Sequence, residues 1–570
     1  MATTWCRRAG RLLAAVASLA TAALVTGAGP GVAVQRLAGP ARPAAAVASG
    51  PILPRLPCAS LAQPQGAQPG VPDFTAIPGA PTRVTSATVV AAGAHNPAYC
   101  DVKGYIAPQI QFDLGLPMTT WEGRYLQQGC GGYCGNVSAL SFPSCDLQPG
   151  ADFAVASTND GHVGGDGLWA LDDEQLRVDY GYRAVHVLAV AARAIIAAFY
   201  GVPPRRSYFN GCSDGGREAL MEAQRYPGDF DGIIAGAPEI YAAPLNGEEQ
   251  AWNARVNMDA QGRQILTADK LPALHAAVMA ACDGRDGLVD GQIDDPRQCT
   301  FDPASIQCPA GVDQPTCLTP AQVDVVRKFY QGVVDDHGRH LYPGGLPYGS
   351  ELGWVPFAVS ATPGVLPLDA SLADNYLRFQ AFPTGKPGPS FRDWQFTLDG
   401  FKRLLPEAGV YDALDADLSA FRDRGGKLIM WHGWADPGIP PLGTLAYYDA
   451  VQDRMGGLEA VQRFARLFML PAVYHCGGGY GPNQVDFVDA IVHWVELGQA
   501  PTRLVASQLN QSGQVVRTRP LFPYPERARY SGSGSIDDAA SFVAETPSPL
   551  PDDDVPWVGD SLFDAPEGNR

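Results

Sequence analysis

Residues 206–227 predict a strand, a sharp turn and a helix in immediate succession, and this unit restricts the possible folds most. RSYFNG is an apolar run of strand length, and REALMEAQRYP has a helical pattern that its proline ends. The turn between them, Gly211-Cys212-Ser213-Asp214-Gly215, fits the pattern G-x-S-x-G, which occurs once in the chain. A serine on such a turn projects above the edge of a parallel sheet, in front of a helix N-terminus. An ordinary glycine-rich turn is the alternative interpretation.

Apolar strands and helices alternate in two regions of the chain, which predicts an α/β fold with a mostly parallel sheet. The first region spans residues 151–238 and the second spans residues 426–498. Between them the alternation stops and Pro, Gly and Asp become frequent, which indicates a large inserted lid domain. The predicted division, in chain order, is an export segment, a first part of the core, the lid, a second part of the core and a C-terminal tail, at 1–49, 50–240, 241–412, 413–530 and 531–570.

The first 49 residues predict that the chain is exported. Three arginines precede the apolar run LLAAVASLATAALV, and small residues follow it. The run is short for a bilayer span, so a cleaved signal is favoured over an N-terminal anchor that stays in place. The chain has 12 cysteines, one of them in this segment, which fits an oxidising compartment in which most would pair. We therefore expect a secreted protein with several disulfides and at least one unpaired cysteine.

The charge of the chain disfavours two classes of partner. Asp and Glu number 59 against 41 Lys and Arg, for a net charge of −18. Such a chain repels the phosphates of nucleic acids and the surface of an anionic membrane. We expect neither partner once the export segment is removed. The histidines show no HExxH or similar zinc spacing.

A serine hydroxyl needs a base before it can attack a carbonyl, and the second α/β region supplies one. His475 and Asp436 each follow an apolar strand, and the chain order Ser213, Asp436, His475 is the order expected for a nucleophile on this kind of turn. The backbone N–H of Asp214 is the expected first donor to an oxyanion. The second donor is expected in the glycine-rich segment LQQGCGGYCG, at Gly131 or Gly132.

Two cysteines stand directly beside the predicted nucleophile and base. Cys212 precedes Ser213, and Cys476 follows His475. If the hydroxyl and the imidazole meet, their neighbours come within the distance that a disulfide requires. A Cys212–Cys476 bridge would then join the two loops across more than 260 residues. Two unrelated structural cysteines are the alternative interpretation.

These segments carry a family resemblance. GCSDGGREALMEAQRYPGDFDGIIAGAP, HGWADPGIPP and HCGGG resemble the tannase/feruloyl esterase family, and the likeness runs from about residue 58 to residue 543. The resemblance implies a secreted enzyme with an α/β-hydrolase core, a lid domain, and a disulfide between the serine and histidine loops. It also implies hydrolysis of galloyl, feruloyl or related phenolic esters, and some members of the family cleave a terephthalate monoester.

The lid contains an acidic loop, CDGRDGLVDGQIDDPRQC at residues 282–299. Closely spaced carboxylates in a turn-rich loop suit Ca²⁺, although a solvated acidic loop is the alternative. The family resemblance implies a structural Ca²⁺ here, bound by three carboxylates and two backbone carbonyls, those of Asp283, Asp286, Asp290, Leu288 and Gln292. Proximity and family likeness further suggest the pairs Cys58–Cys100, Cys282–Cys299 and Cys308–Cys317. The pairing of Cys130, Cys134 and Cys145 stays open.

The predicted function is that of a secreted serine carboxylic-ester hydrolase that acts on esters of hydroxylated aromatic acids and needs no organic cofactor. The expected partner is a small aromatic ester or a phenolic ester linked to plant polysaccharide. Lid aromatics are expected to contact the acyl group, with Trp252, Trp354, Phe391 and Trp394 as candidates. The alternatives are a terephthalate-monoester esterase, an acyltransferase or a peptidase on the same scaffold, and a non-catalytic calcium-binding module.

Overall fold

The structure, a computed structural model, describes residues 50–548 and 556–562, apart from positions 64–65, 67–69, 144 and 148–149. The export segment predicted at 1–49 lies outside the described residues. Nine strands form the central sheet, and they are β1 Thr82–Val90, β2 Tyr99–Ile106, β3 Ile110–Pro117, β4 Trp121–Gln128, β5 Asp152–Thr158, β6 Arg206–Cys212, β7 Gly232–Gly236, β8 Lys427–Gly433 and β9 Ala465–Leu470.

The strands of this sheet lie in the order β1-β2-β3-β5-β4-β6-β7-β8-β9. From β5 to β9 every neighbouring pair is parallel, as the alternating pattern predicts. Strands β1, β2 and β3 extend the sheet in antiparallel fashion, and β3 pairs antiparallel with β5. Strand β7 is buried along its whole length and β5 along nearly all of it, as expected for strands covered on both faces.

The helices are α1 Glu174–Val178, α2 Ala184–Tyr200, α3 Asp214–Arg225, α4 Ala242–Pro244, α5 Ala251–Val256, α6 Leu271–Cys282, α7 Pro320–Gln331, α8 Leu368–Asn375, α9 Leu398–Tyr411, α10 Ser419–Asp423, α11 Leu442–Met455, α12 Leu458–Val461 and α13 Phe487–Leu497. The helical run Glu174–Tyr200 is long and apolar enough to cross a membrane by length and composition alone. In the structure its larger part, α2, packs against β3 and β5. The apolar composition of α2 is therefore that of a core helix.

The predicted lid, residues 241–412, contains α4 to α9 and contributes no strand to the central sheet. Two apolar clusters hold it together. One includes Leu274, Phe329 and Trp354, and the other includes Tyr376 and Trp394. Two disulfides close its irregular segments, and they are Cys282–Cys299 and Cys308–Cys317.

The C-terminal region is more ordered than the predicted tail at 531–570 implies. Strands β10 Leu504–Leu509 and β11 Val515–Leu521 form one hairpin, and β12 Arg527–Tyr530 pairs with β13 Phe542–Glu545 in a second. The second hairpin crosses the predicted boundary at residue 530. Trp557 is buried against the rings of Tyr241 and Phe401. The described part of the tail therefore packs on the core, because Trp557 contacts apolar side chains that are far away in the sequence.

Candidate active site

Four loops meet at the carboxyl edge of the parallel strands. They follow β4, β6, β8 and β9, and they carry respectively the glycine pair 131–132, Ser213, Asp436 and His475. Because parallel strands all end at the same edge of a sheet, side chains that are hundreds of residues apart come together there. This is the edge at which open α/β sheets bind their ligands.

Ser213 lies on a turn with an unusual backbone conformation. Its φ of 68° and ψ of −124° are rare for a residue with a side chain, and α3 begins at the next residue. The turn is held in place because the N–H of Ser213 donates to the carbonyl of Gly236, at 3.0 Å. A Cβ atom at Gly211 would come within 2.2 Å of the carbonyl oxygen of Gly215, so this position accepts only glycine. The strained turn is that of a nucleophile elbow.

Ser213, His475 and Asp436 form a hydrogen-bonded chain. Nε2 of His475 lies 2.9 Å from Oγ of Ser213, and Nδ1 lies 2.8 Å from Oδ2 of Asp436. The Asp436 carboxylate is fully buried, and the His475 side chain is 13% exposed. The carboxylate therefore accepts a hydrogen bond from the Nδ1–H group, which leaves Nε2 unprotonated and able to accept the hydroxyl proton of the serine.

The environment of Asp436 favours its ionised form. Oδ1 accepts hydrogen bonds from the N–H groups of Gly438 and Ile439, at 2.8 and 3.0 Å. Burial acts to raise the pKa of Asp436, but the nearby His475 and His432 outweigh burial and hold this pKa below its ordinary value. Burial also opposes protonation of His475, yet the carboxylate of Asp436 raises the pKa of His475 above its ordinary value. The pair thus combines an ionised acid with a strengthened base.

The Ser213 and His475 loops are joined by a covalent bond. Cys212 and Cys476 form a disulfide with a Cα–Cα distance of 5.9 Å, which spans 264 positions of sequence. The bridge lies next to the Ser213–His475 hydrogen bond in both loops. It therefore restricts how far the hydroxyl and the imidazole can separate.

The glycine-rich segment that the sequence singles out lies beside the serine turn. The carbonyl of Cys130 accepts a hydrogen bond from the N–H of Gly215, at 3.0 Å. Gly131 and Gly132 border open space, since a Cβ atom at either position would have no other atom within 4 Å. Cys130 and Cys134 are paired in a disulfide, which resolves the open question about the three neighbouring cysteines. Among the described cysteines, Cys145 alone is unpaired, and it is buried.

A lid residue that the sequence did not indicate lies against the base. The ring of Phe357 is 5.5 Å from the imidazole of His475 and approximately perpendicular to it. Phe357 is partly exposed, and its backbone carbonyl accepts the N–H of Asp369 in α8. No spacing rule separates Phe357 from the other lid aromatics, because its direction depends on how the lid packs. Phe357 thus places an aromatic ring beside the imidazole of His475.

The four lid aromatics proposed from the sequence lie elsewhere. Trp354, Phe391 and Trp394 are at most 1% exposed and belong to the apolar clusters of the lid. Trp252 is partly buried, and it packs against Phe396 while its Nε1 donates to the carbonyl of Lys328. Burial in these clusters disfavours substrate contact for the three buried side chains, and contact of any of the four with substrate stays a prediction. Large aromatic residues in a lid are as suited to its core as to its pocket.

The described residues contain a compact group of ligand-type side chains behind the serine turn. Atoms of Cys130, Cys134, Asp160, Asp214 and Glu218 lie within 4.8 Å of one another. The two cysteines are joined as a disulfide and so offer no thiolate to a metal. Burial raises the pKa of Asp160 to about 7 and that of Glu218 well above its ordinary value. Burial thus favours the neutral form of these two carboxyl groups, in which one can donate a hydrogen bond to the other.

The acidic loop predicted to bind Ca²⁺ is partly closed by its own hydrogen bonds. Asp283 accepts the N–H groups of residues 290, 291 and 292, and the carboxylate of Asp290 pairs with Arg519. Asp286 and Leu288 line a cavity of about 280 Å³ together with Asp294. One buried oxygen of Asp294 has no hydrogen-bond partner. Carboxylates and carbonyls are the ligands that Ca²⁺ prefers, but Arg527 and Arg529 line the same cavity, and Ca²⁺ binding by the loop stays a prediction.

The fold and the site define a class of protein. A parallel sheet that carries serine, acid and histidine in this order, with a nucleophile elbow and an inserted lid, is an α/β-hydrolase. The sequence model of the family "Tannase and feruloyl esterase" matches residues 91–544, and the chain belongs to this family. It is accordingly a carboxylic ester hydrolase, which removes the non-catalytic calcium-binding module as an interpretation.

Individual relatives agree with this assignment. The chain is 35% identical to an uncharacterized esterase of Xanthomonas campestris pv. campestris, over 83% of this chain and 90% of the relative. It is 34% identical to the mono(2-hydroxyethyl) terephthalate hydrolase of Piscinibacter sakaiensis, over 81% and 87% of the two chains. The crystal structure of feruloyl esterase B from Aspergillus oryzae superposes on this chain with a TM-score of 0.72 and is 28% identical in sequence. The superposition covers 81% of this chain and 97% of the feruloyl esterase.

Proposed function

We propose that the protein hydrolyses carboxylic esters of hydroxylated aromatic acids through an acyl-enzyme on Ser213. The observation that carries the proposal is the chain of two hydrogen bonds, 2.9 and 2.8 Å long, that links the Ser213 hydroxyl through His475 to buried Asp436. Oγ attacks the ester carbonyl while Nε2 takes its proton. A tetrahedral intermediate forms, and the ester C–O bond breaks as His475 returns the proton to the departing alcohol. Water then releases the acid by the same two steps.

The oxyanion of each tetrahedral intermediate needs donors that are already in place. The first is the N–H of Asp214, which begins α3 and lies at the positive end of its dipole. The second is the N–H of Gly131 or Gly132, in the segment that packs on the serine turn. A preorganised donor of this kind lowers a barrier by about 3 kcal/mol.

The aromatic acyl group is supported by the family and by Phe357. Two of the relatives named above act, by their names, on feruloyl and terephthaloyl esters, and both acyl groups are planar and aromatic. In this chain the ring of Phe357 stands beside His475, where it can pack against such a group. A terephthalate monoester is the second candidate substrate, because the hydrolase named for it is 34% identical over most of both chains.

A panel of esters tests this function. Methyl ferulate, methyl gallate, methyl caffeate and mono(2-hydroxyethyl) terephthalate are compared with methyl hexanoate, an aliphatic control. We expect kcat/KM to be highest for one of the aromatic esters. A rapid-quench experiment should trap the corresponding acyl group on the peptide that contains Ser213. Preference for the aliphatic control would contradict the aromatic acyl group, and an acyl group on any other residue would contradict the mechanism. Added methanol or peptide substrates separate an acyltransferase or a peptidase from an esterase.

We also propose that the lid loop binds a structural Ca²⁺, as the family resemblance implies. The residues that would hold it are Asp283, Asp286 and Asp290 through carboxylates, and Leu288 and Gln292 through backbone carbonyls. The cavity beside Asp286 and the unpartnered oxygen of Asp294 support this proposal. The ion would supply positive charge to a loop that otherwise packs several carboxylates together. It would take no part in the reaction.

The same protein is proposed to be secreted. Five disulfides lie within the described residues, which is usual for proteins of oxidising compartments and unusual in the cytosol. Its natural partner would then be a small phenolic ester or a phenolic ester attached to plant polysaccharide. Mass analysis of the mature chain in culture medium would test export and locate its N-terminus.

A further inference from the structure

The disulfide between Cys130 and Cys134 closes a small ring beside the serine turn. Only Gly131, Gly132 and Tyr133 lie between the two bridged cysteines. Two consecutive glycines have more backbone freedom than any other pair of residues, so an open chain here would sample many conformations. A short covalent ring removes most of them before any substrate binds.

The ends of this ring are also anchored to the helix that follows the nucleophile. The N–H of Cys130 donates to Oε2 of Glu218 at 3.1 Å, and its carbonyl accepts from Gly215 at 3.0 Å. Both partners belong to α3, which begins one residue after Ser213. The position of the ring is therefore fixed relative to the serine hydroxyl, not only within its own loop.

The far side of the ring is held as well. The backbone carbonyl of Tyr133 accepts a hydrogen bond from Nε2 of His162 at 2.6 Å. The side-chain hydroxyl of Tyr133 donates to the carbonyl of Leu372 at 2.7 Å. Inside the ring, the N–H of Cys134 donates to the carbonyl of Gly131 at 3.1 Å. Among the described residues, no protein acceptor takes the N–H of Gly131 or Gly132. The N–H groups of Gly131 and Gly132 are thus available to a ligand, while hydrogen bonds on both sides of them hold the ring.

We propose that the Cys130–Cys134 disulfide is a positioning element that holds the oxyanion donors of Gly131 and Gly132 in place for the transition state. The inference rests on the proposed function, because it assumes an oxyanion at Ser213. Its chemical consequence is specific. The disulfide stabilises the tetrahedral intermediate more than the bound ester, so its loss lowers kcat and leaves KM nearly unchanged.

The test compares the double variant Cys130→Ala/Cys134→Ala with Cys308→Ala/Cys317→Ala, which removes a short-range disulfide in the lid. We expect kcat for the best aromatic ester to fall by about 10- to 100-fold in the first variant only, with KM changed by less than about threefold. Affinity for an aryl boronic acid, which forms a tetrahedral adduct on the serine, should weaken by the same factor as kcat. The intact Cys212–Cys476 bridge is checked by peptide mass mapping in each variant.

Several results would overturn the inference. They are an unchanged kcat, a rise in KM at constant kcat, and an equal loss in the lid control. Inactivity of the wild type toward every ester would instead contradict the proposed function itself. If the double variant does not fold, Glu218→Leu replaces it, because leucine removes the acceptor of the Cys130 N–H. Glu218→Gln keeps that acceptor and should retain wild-type kcat, whereas equal losses in both Glu218 variants would contradict the anchoring.

Discussion

Nε2 of His432 lies 3.2 Å from Oδ2 of Asp436, the same oxygen that receives Nδ1 of His475. His432 is fully buried, and its Nε2 also lies 2.9 Å from the carbonyl of Ile439. Because both neighbours of Nε2 are acceptors, this nitrogen carries a proton. Nδ1 then accepts from the hydroxyl of Thr444, at 2.8 Å. His432 thus donates a hydrogen bond to Oδ2 of Asp436 and helps to hold this carboxylate in its orientation toward His475.

This arrangement predicts a role for His432 in positioning Asp436. His432→Phe removes the donor and leaves the carboxylate charge less compensated, so the pKa of His475 should rise further and kcat should fall by about tenfold. The acidic limb of the kcat/KM profile should move to higher pH. His432→Gln places an amide N–H near the same oxygen and should restore most of the wild-type profile. An acidic limb of kcat/KM with the same midpoint pH in the wild type and in His432→Phe would contradict this role of His432.

The pH dependence of the reaction follows from the raised pKa of His475. The base must be neutral to accept the serine proton, so kcat/KM should fall as pH decreases through this pKa. Because the pKa lies above the ordinary value of 6.5, the midpoint of the acidic limb should lie above pH 6.5. Steady-state rates between pH 5 and pH 9 measure it. A midpoint well below 6.5 would show that His475 is not the titrating base.

The variant Asp436→Asn tests whether the Asp436 carboxylate is what raises the pKa of His475. The amide removes the charge that raises the pKa of His475 and favours the wrong imidazole tautomer, so kcat should fall by about 10⁴-fold. Any residual activity should show an acidic limb at lower pH than the wild type. If the midpoint pH of the acidic limb is unchanged in Asp436→Asn, a group other than Asp436 sets the pKa of His475.

Phe357 should contribute to acyl specificity. Phe357→Ala removes the ring beside His475, and we expect KM for methyl ferulate to rise several-fold while hydrolysis of p-nitrophenyl acetate changes little. Phe391→Leu, which alters a fully buried ring of the lid, is the control for general loosening. Equal effects on the aromatic and the small ester would show that Phe357 only supports the lid.

The calcium proposal predicts a stability effect without a direct effect on the reaction. Chelation should lower the melting temperature by a few degrees, because an ion that binds only the folded state stabilises it. Asp286→Asn should lose most of this calcium-dependent shift, whereas Asp336→Asn, at an exposed lid position, should keep it. A melting temperature that does not respond to calcium in the wild type would contradict the site.

The meeting of the proposed nucleophile, acid and base could be predicted from sequence because each residue follows a recognisable strand. Ser213, Asp436 and His475 stand after β6, β8 and β9, and parallel strands bring such positions to one edge whatever the loops do between them. The alternation of apolar strands and helices also predicts the parallel part of the sheet, which the structure contains from β5 to β9.

The lid contacts could not be predicted in this way. Trp354 and Phe357 are three residues apart, yet one is buried in a lid cluster and the other faces His475. That difference depends on contacts with α7 and α8, which no local pattern encodes. The antiparallel strands β1 to β3 were missed for a related reason, since their place in the sheet depends on the non-local pairing of β3 with β5.

The central claim is that Ser213 is the nucleophile, and the hydrolysis rate of Ser213→Ala tests it most directly. Alanine keeps the disulfide, the lid and the pocket but removes the attacking oxygen. The measurement is kcat for the best aromatic ester, in protein whose Cys212–Cys476 bridge has been verified. We predict a fall by about 10⁵- to 10⁶-fold. Retention of more than about 1% of wild-type kcat would contradict the account, because another group would then have to attack the ester.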